Sequence, residues 1–128
     1  MIVLDTHAFL WWRDESPRLS ETARTEIEEA GRIGVPTACC LEIATLDRRG
    51  RITLAGGATK WIRAALADPR VDEIPLTSEI ALAAGELPET FPGDPVDRII
   101  YATSRTTGSS LVTRDRRISN HDPRRAIW

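Results

Sequence analysis

Three apolar residues that stop abruptly on a carboxylate, Ile2-Val3-Leu4 followed by Asp5 and Thr6, constrain this chain most. The run is too short for a helix and too continuous for a half-exposed strand, so it reads as a strand covered on both faces. Strands of that kind lie in the middle of parallel sheets. In an open α/β sheet the carboxyl ends of the strands open into the ligand crevice, and an acid at such an end is placed for chemistry.

The rest of the chain alternates in the same sense. A helix follows Thr6 through Ala8, Phe9, Leu10, Trp11 and Trp12 and ends at Arg13-Asp14-Glu15-Ser16-Pro17. Ser20 caps a second helix that runs to Ala30, where Gly31 stops it. Arg32 to Val35 is the next strand, and Pro36 with Thr37 opens a third helix to Arg49-Gly50. Its basic last turn and glycine suit a helix C-terminus. Arg51 to Leu54 reads as a minor extended piece, Lys60 to Ala67 as a short helix, Val71 to Leu76 as a strand, and Thr77 to Leu87 as a helix. The loop Pro88 to Gly93 precedes a helix opened by Asp94-Pro95 and ending near Thr107-Gly108. Ser109 to Thr113 and Ala126 to Trp128 complete the strands. Strand and helix in alternation predict an α/β fold, a three-layer α/β/α sandwich on a mainly parallel central sheet.

With 128 residues, 41% of them hydrophobic, the chain is expected to form a single domain spanning residues 1–128. It opens on the strand with no basic leader, and charges interrupt every apolar stretch, so no membrane association and a cytoplasmic location are expected. Cys39 and Cys40 are adjacent within an apolar run, which suits neither a disulfide framework nor a zinc site. A net charge of -2 excludes a generally basic coat.

Four acids carry the chemistry. Asp5 and Asp115 follow strands at one edge of the sheet, and Asp97 lies in the first turn of a helix that starts near that edge. Glu42 is the only charged residue between Val35 and Leu46, on a helical face that otherwise looks inward. Singly, each has an ordinary structural reading: a cap for Asp5, Asp97 or Asp115, and an arginine partner for Glu42. Jointly, the alternating topology brings them to one crevice. Carboxylates about 5 Å apart repel by on the order of 3 kcal/mol per pair at an effective dielectric of 20, so something positive must hold them. Oxygen donors without His or Cys select Mg²⁺ or Mn²⁺ over zinc. Such an ion suits phosphoryl chemistry, because it acidifies a bound water and neutralises charge on the phosphate.

The segments I-V-L-D-T-H, P-T-A-C-C-L-E-I-A, G-D-P-V-D-R-I-I-Y-A and S-L-V-T-R-D resemble those of PIN-domain nucleases, and most nearly the VapC-type ribonuclease toxins of toxin–antitoxin pairs. The resemblance covers nearly the whole chain. It implies an endoribonuclease whose catalytic, metal-holding acids are Asp5, Glu42, Asp97 and Asp115, supported by the hydroxyls of Thr6 and Thr113. Asp97 is preferred to Asp94 because Arg98-Ile99-Ile100-Tyr101-Ala102 follows it, and Asp94 is left as the cap. A homodimer, an RNA substrate and a cognate antitoxin are implied with it, and Mg²⁺ as the ion, with Mn²⁺ substituting.

Seven arginines from Arg98 onward stand against only Asp115 and Asp122. Of these, Arg98, Arg114, Arg116 and Arg117 are the candidates for an RNA backbone; the competing reading is a solvated surface paired with Glu26, Glu28 and Glu29. A metal-free ribonuclease would need paired histidines, and only His7 and His121 are available. A phosphoacceptor receiver module would need a lysine after a late strand, and the sole lysine is Lys60.

Overall fold

The structure, a computed structural model, describes residues 1–91 and 93–128. The elements follow in the order β1 (Ile2–Leu4), α1 (Thr6–Arg13), α2 (Glu21–Glu29), β2 (Ile33–Pro36), α3 (Thr37–Arg48), α4 (Ala58–Leu66), β3 (Val71–Ile74), α5 (Ser78–Gly85), α6 (Pro95–Thr106), β4 (Ser110–Val112), α7 (Arg116–His121) and β5 (Ala126–Ile127). All five strands pair in parallel, in the order β3-β2-β1-β4-β5. The expected α/β sandwich is therefore present, with a sheet that is wholly parallel.

β1 is central for a physical reason. Val3 and Leu4 are completely buried, as are Ile33 and Val35 on one neighbour and Leu111 and Val112 on the other. Each such side chain contributes roughly 1.5–3 kcal/mol when removed from water, which only a strand covered on both faces collects in full. From β1 the chain builds outward through β2 and β3, then returns to the other side of β1 for β4 and β5. The order reverses between β1 and β4, and that switch point is where a crevice opens beyond the strand ends.

The helices start where the sequence signals them. Ser20, Thr77 and Asp94 cap α2, α5 and α6 through side-chain oxygens that accept from backbone N–H groups three residues on. Two expectations are corrected. Arg51 to Leu54 forms bends and joins no strand; Leu54 is instead a buried anchor whose carbonyl accepts from Gly57 N–H. Arg116–His121, for which no helix was expected, is a short helix capped by Asp115. Pro92, in the expected loop Pro88 to Gly93, lies outside the described residues. Cys39 is a core residue, whereas Cys40 is only half-buried. Trp11 and Trp12 both pack against the core and both stay half-exposed. Among the described residues, no helix is long and apolar enough to cross a membrane.

Candidate active site: an acidic cleft at the switch point

A cleft of about 1000 Å³ opens at the carboxyl edge of the sheet, and Asp5, Glu42, Asp94, Asp97 and Asp115 all line it. The five acids arrive on four parts of the chain, Asp94 and Asp97 together at the start of α6. Asp5 ends β1 and caps α1: its backbone N–H donates to the Val112 carbonyl and its carboxylate accepts from Ala8 N–H at 2.8 Å. Burial pushes Asp5 above the usual carboxylate range, and the Glu42 charge adds to this, while the Thr113 hydroxyl, the Ala8 amide and His7 draw it back. Glu42 lies on α3, half-buried, and belongs to none of the ion pairs found among the described residues. Among the described residues no arginine pairs with it.

Asp97 sits in the first turn of α6. Burial is the main cause that lifts it to about 7, helped by the charges of Asp94, Glu42 and Asp115. The residue before the cap makes that position possible: Gly93 has φ +97°, and a Cβ there would stand 2.6 Å from Asp97 Oδ2 and 2.8 Å from Asp97 Cβ. Asp115 follows β4, caps α7, and is held at 2.9 Å by its own neighbour Arg117, whose guanidinium keeps it below the usual range. Thr113 joins the two strand-end acids. Its Oγ1 accepts from Asp115 N–H at 3.1 Å, and its hydroxyl also lowers Asp5.

The tightest grouping is one the sequence did not single out. Carboxylate oxygens of Glu42, Asp94 and Asp97 all lie within 4.8 Å of one another. Asp94 is the cap of α6, as expected, accepting from Asp97 N–H at 3.1 Å, and it is a member of the acid cluster as well. The signal was present: two acids three residues apart at a helix start lie side by side. Asp5 and Asp115 share the cleft without belonging to that triplet.

The donor set fits a hard divalent cation. It is all carboxylate oxygen, and at 4.8 Å each charged pair costs about 3 kcal/mol at an effective dielectric of 20. The charges of Asp94, Glu42 and Asp115 add to burial in raising Asp97. Thr6 also lines the cleft, and its hydroxyl oxygen is buried with no hydrogen-bond partner among the described residues.

The rim is cationic. Arg114 and Arg117 line the cleft, and so do Arg18, Arg48 and Arg49, which the sequence did not mark. Arg116 is exposed on α7. Arg98 is a correction: its guanidinium donates to the carbonyls of Ala84, Leu87 and Pro88 at 3.1–3.2 Å, so it closes the end of α5 and does not line the cleft. None of the C-terminal arginines forms an ion pair with Glu26, Glu28 or Glu29 among the described residues. The histidines are not brought together. His7 lines the cleft, whereas His121 stacks edge-on against Phe91 and Tyr101.

Comparison with known proteins identifies the family. Residues 2–122 match the PIN domain family. Ribonuclease VapC22 of Mycobacterium tuberculosis is 41% identical over 120 residues, 94% of this chain and 91% of that protein. In fold, the chain is similar to the crystal structure of M. tuberculosis VapC20, a sarcin-ricin loop cleaving toxin, with a TM-score of 0.73 at 20% identity over 95% of each chain. A toxin–antitoxin complex from Klebsiella pneumoniae gives 0.70 at 18% identity, covering 96% of this chain and 93% of that one. Carrying the acids of the cleft on a parallel sheet of this order, the chain belongs to the PIN domain family.

Proposed function

We propose that residues 1–128 form a single nuclease domain, a divalent-metal-dependent endoribonuclease that serves as the toxin of a toxin–antitoxin pair and works in the cytoplasm. The observation that carries this reading is the convergence of five carboxylates in one arginine-rimmed cleft, three of them with oxygens within 4.8 Å of one another. The 41% identity to a protein named a ribonuclease supports RNA as the substrate. The likeness to a toxin–antitoxin complex supports an antitoxin partner.

Glu42, Asp94 and Asp97 would hold the ion, with Asp5 and Asp115 completing the acid set. Mg²⁺ is the ion this donor set favours, with Mn²⁺ able to take its place. When bound, the ion supplies an acidified water and neutralises charge on the phosphodiester. The protein's own groups orient the rest. Asp5 is fixed at the end of β1 by the Ala8 amide and by the Thr113 hydroxyl. Thr113 ties Asp5 to Asp115, and Arg117 holds Asp115 in one position. Arg114, Arg116 and Arg117 attract the RNA backbone, as do Arg18, Arg48 and Arg49 from the other elements around the cleft. Two copies of the chain associate as a homodimer.

The test is cleavage of a mixed cellular RNA pool with Mg²⁺, with Mn²⁺ and with a chelator, alongside Asp97→Asn. Metal-dependent cutting that the variant loses is the expected result. Cutting that persists in chelator would remove the metal mechanism.

A further inference from the structure

Along the Asp5 side of the cleft runs an aromatic and cationic edge that the acids do not require. His7 and Trp11 lie four residues apart on α1 and therefore on one face, with ring centroids 5.4 Å apart and planes inclined by 49°. Trp128 stands edge-on behind Trp11, at 5.8 Å. Arg114, one residue beyond Thr113, places its guanidinium carbon 5.9 Å from the Trp11 ring centroid. His7, Trp11 and Arg114 line the same cleft as Asp5 and Asp97.

The core covers this ring only in part. Phe9, on the same helix, is completely buried and meets Trp61 edge-on, while Trp11 stays half-open. His7 and Arg114 are exposed, and neither forms an ion pair among the described residues. A flat π surface with a free cation over it, beside a carboxylate site for a phosphodiester, has the chemistry that an unstacked base next to a bound phosphate meets. Arginine above the ring adds attraction both for the base and for the backbone.

We propose that His7, Trp11 and Arg114 form a stacking shelf that takes one unpaired base of the RNA beside the phosphate at the acids. The inference rests on the nuclease reading and deepens it. Every base has a π face, so the shelf selects unpaired over paired RNA and does not name a base. A base inside a duplex is already stacked on its neighbours and must leave them to enter. His7, Trp11 and Arg114 are positioning residues: they hold the nucleotide, and the acids act on the phosphate.

The experiment uses a short single-stranded RNA of mixed sequence, with 2-aminopurine or an abasic ribose moved through it one position at a time. Binding is read in Mg²⁺ with the Asp97→Asn protein, so that nothing is cut. One position is expected to show 2-aminopurine quenching. Trp11→Leu should weaken binding about five- to a hundredfold, the range that loss of one stacked base spans, and Trp11→Phe should retain most of it. An abasic ribose at that position should bind the Trp11→Leu protein and its Trp11 parent alike, because the shelf then has nothing to hold. His7→Ala, at an exposed position, gives the same reading if Trp11→Leu fails to fold. The proposal is overturned if an abasic ribose has no effect at any position, or if the variants bind the strand as tightly as their parent. It is also overturned if they lose only a protein partner, which would assign the shelf to that protein. If the wild type cuts no RNA at all, the nuclease reading has failed, and the quenching arm still decides the shelf.

Discussion

Gly93→Ala is the sharpest perturbation of the cleft, because it moves an acid without changing one. Gly93 has φ +97°, where an alanine costs about 1–2 kcal/mol of backbone strain. Its Cβ would also meet Asp97 Oδ2 at 2.6 Å and Asp97 Cβ at 2.8 Å. Rotation of the carboxylate relieves the first contact. The second involves an atom fixed to the backbone, so the loop or the first turn of α6 has to shift by several tenths of an ångström. Overpacking of this kind costs a further 1–3 kcal/mol or so. Urea unfolding should therefore show a total loss of about 2–5 kcal/mol. A catalytic group displaced by a sizeable fraction of an ångström loses up to about 10²-fold in rate, and cleavage per folded molecule should fall by at least tenfold. Gly108→Ala is the control. It has φ +66° with nothing within 4 Å of a Cβ, so it should lose about 1–2 kcal/mol and cut normally. A Gly93→Ala protein with wild-type stability and wild-type cleavage would refute the placement of Asp97.

Other consequences follow from the same geometry. Asp97 is raised to about 7 without an ion, so folding favours its protonated form. The resulting penalty is absent below about pH 4, grows as pH rises towards 7, and is fully present above it. Melting without metal should therefore show Asp97→Asn gaining on the wild type from pH 4 to pH 8, and equal slopes would contradict the burial argument. Asp5→Asn keeps an oxygen that can accept from Ala8 N–H, so it should fold with its cap intact and lose cleavage; a folded variant cutting at the wild-type rate would remove Asp5 from the chemistry. Arg98→Ala leaves three carbonyls at the end of α5 without their donor and should lose about 1–3 kcal/mol in urea unfolding, while its folded fraction still cuts. Light scattering at micromolar concentration is expected to give the mass of a dimer, and a monomer would count against the proposed assembly.

The amino-acid sequence determined the elements and the edge at which chemistry sits. A buried apolar triplet ending on Asp5, caps at Ser20, Thr77 and Asp94, and alternating periodicities are local properties, and the structure follows them nearly residue for residue. Where local signals were weakest, expectation and structure part. α7 has six residues, too few to show a period, and Arg51 to Leu54 had apolar residues but no neighbouring strand to pair with. Grouping of the side chains was decided only by tertiary packing. α3 packs against α6, and that contact turns Asp94 from a cap into a third carboxylate beside Glu42 and Asp97. Each residue along a helix rotates its side chain by about 100°, so Arg98, next to Asp97, faces the end of α5 instead of the cleft. Trp11 reads from sequence as one of two adjacent aromatics on a helix. It comes to lie beneath a guanidinium in the cleft because β4, parallel to β1, brings Arg114 to its ring. Spacing along a chain fixes which atoms share a helix face or a strand end, whereas which faces meet depends on how the crossovers close the core.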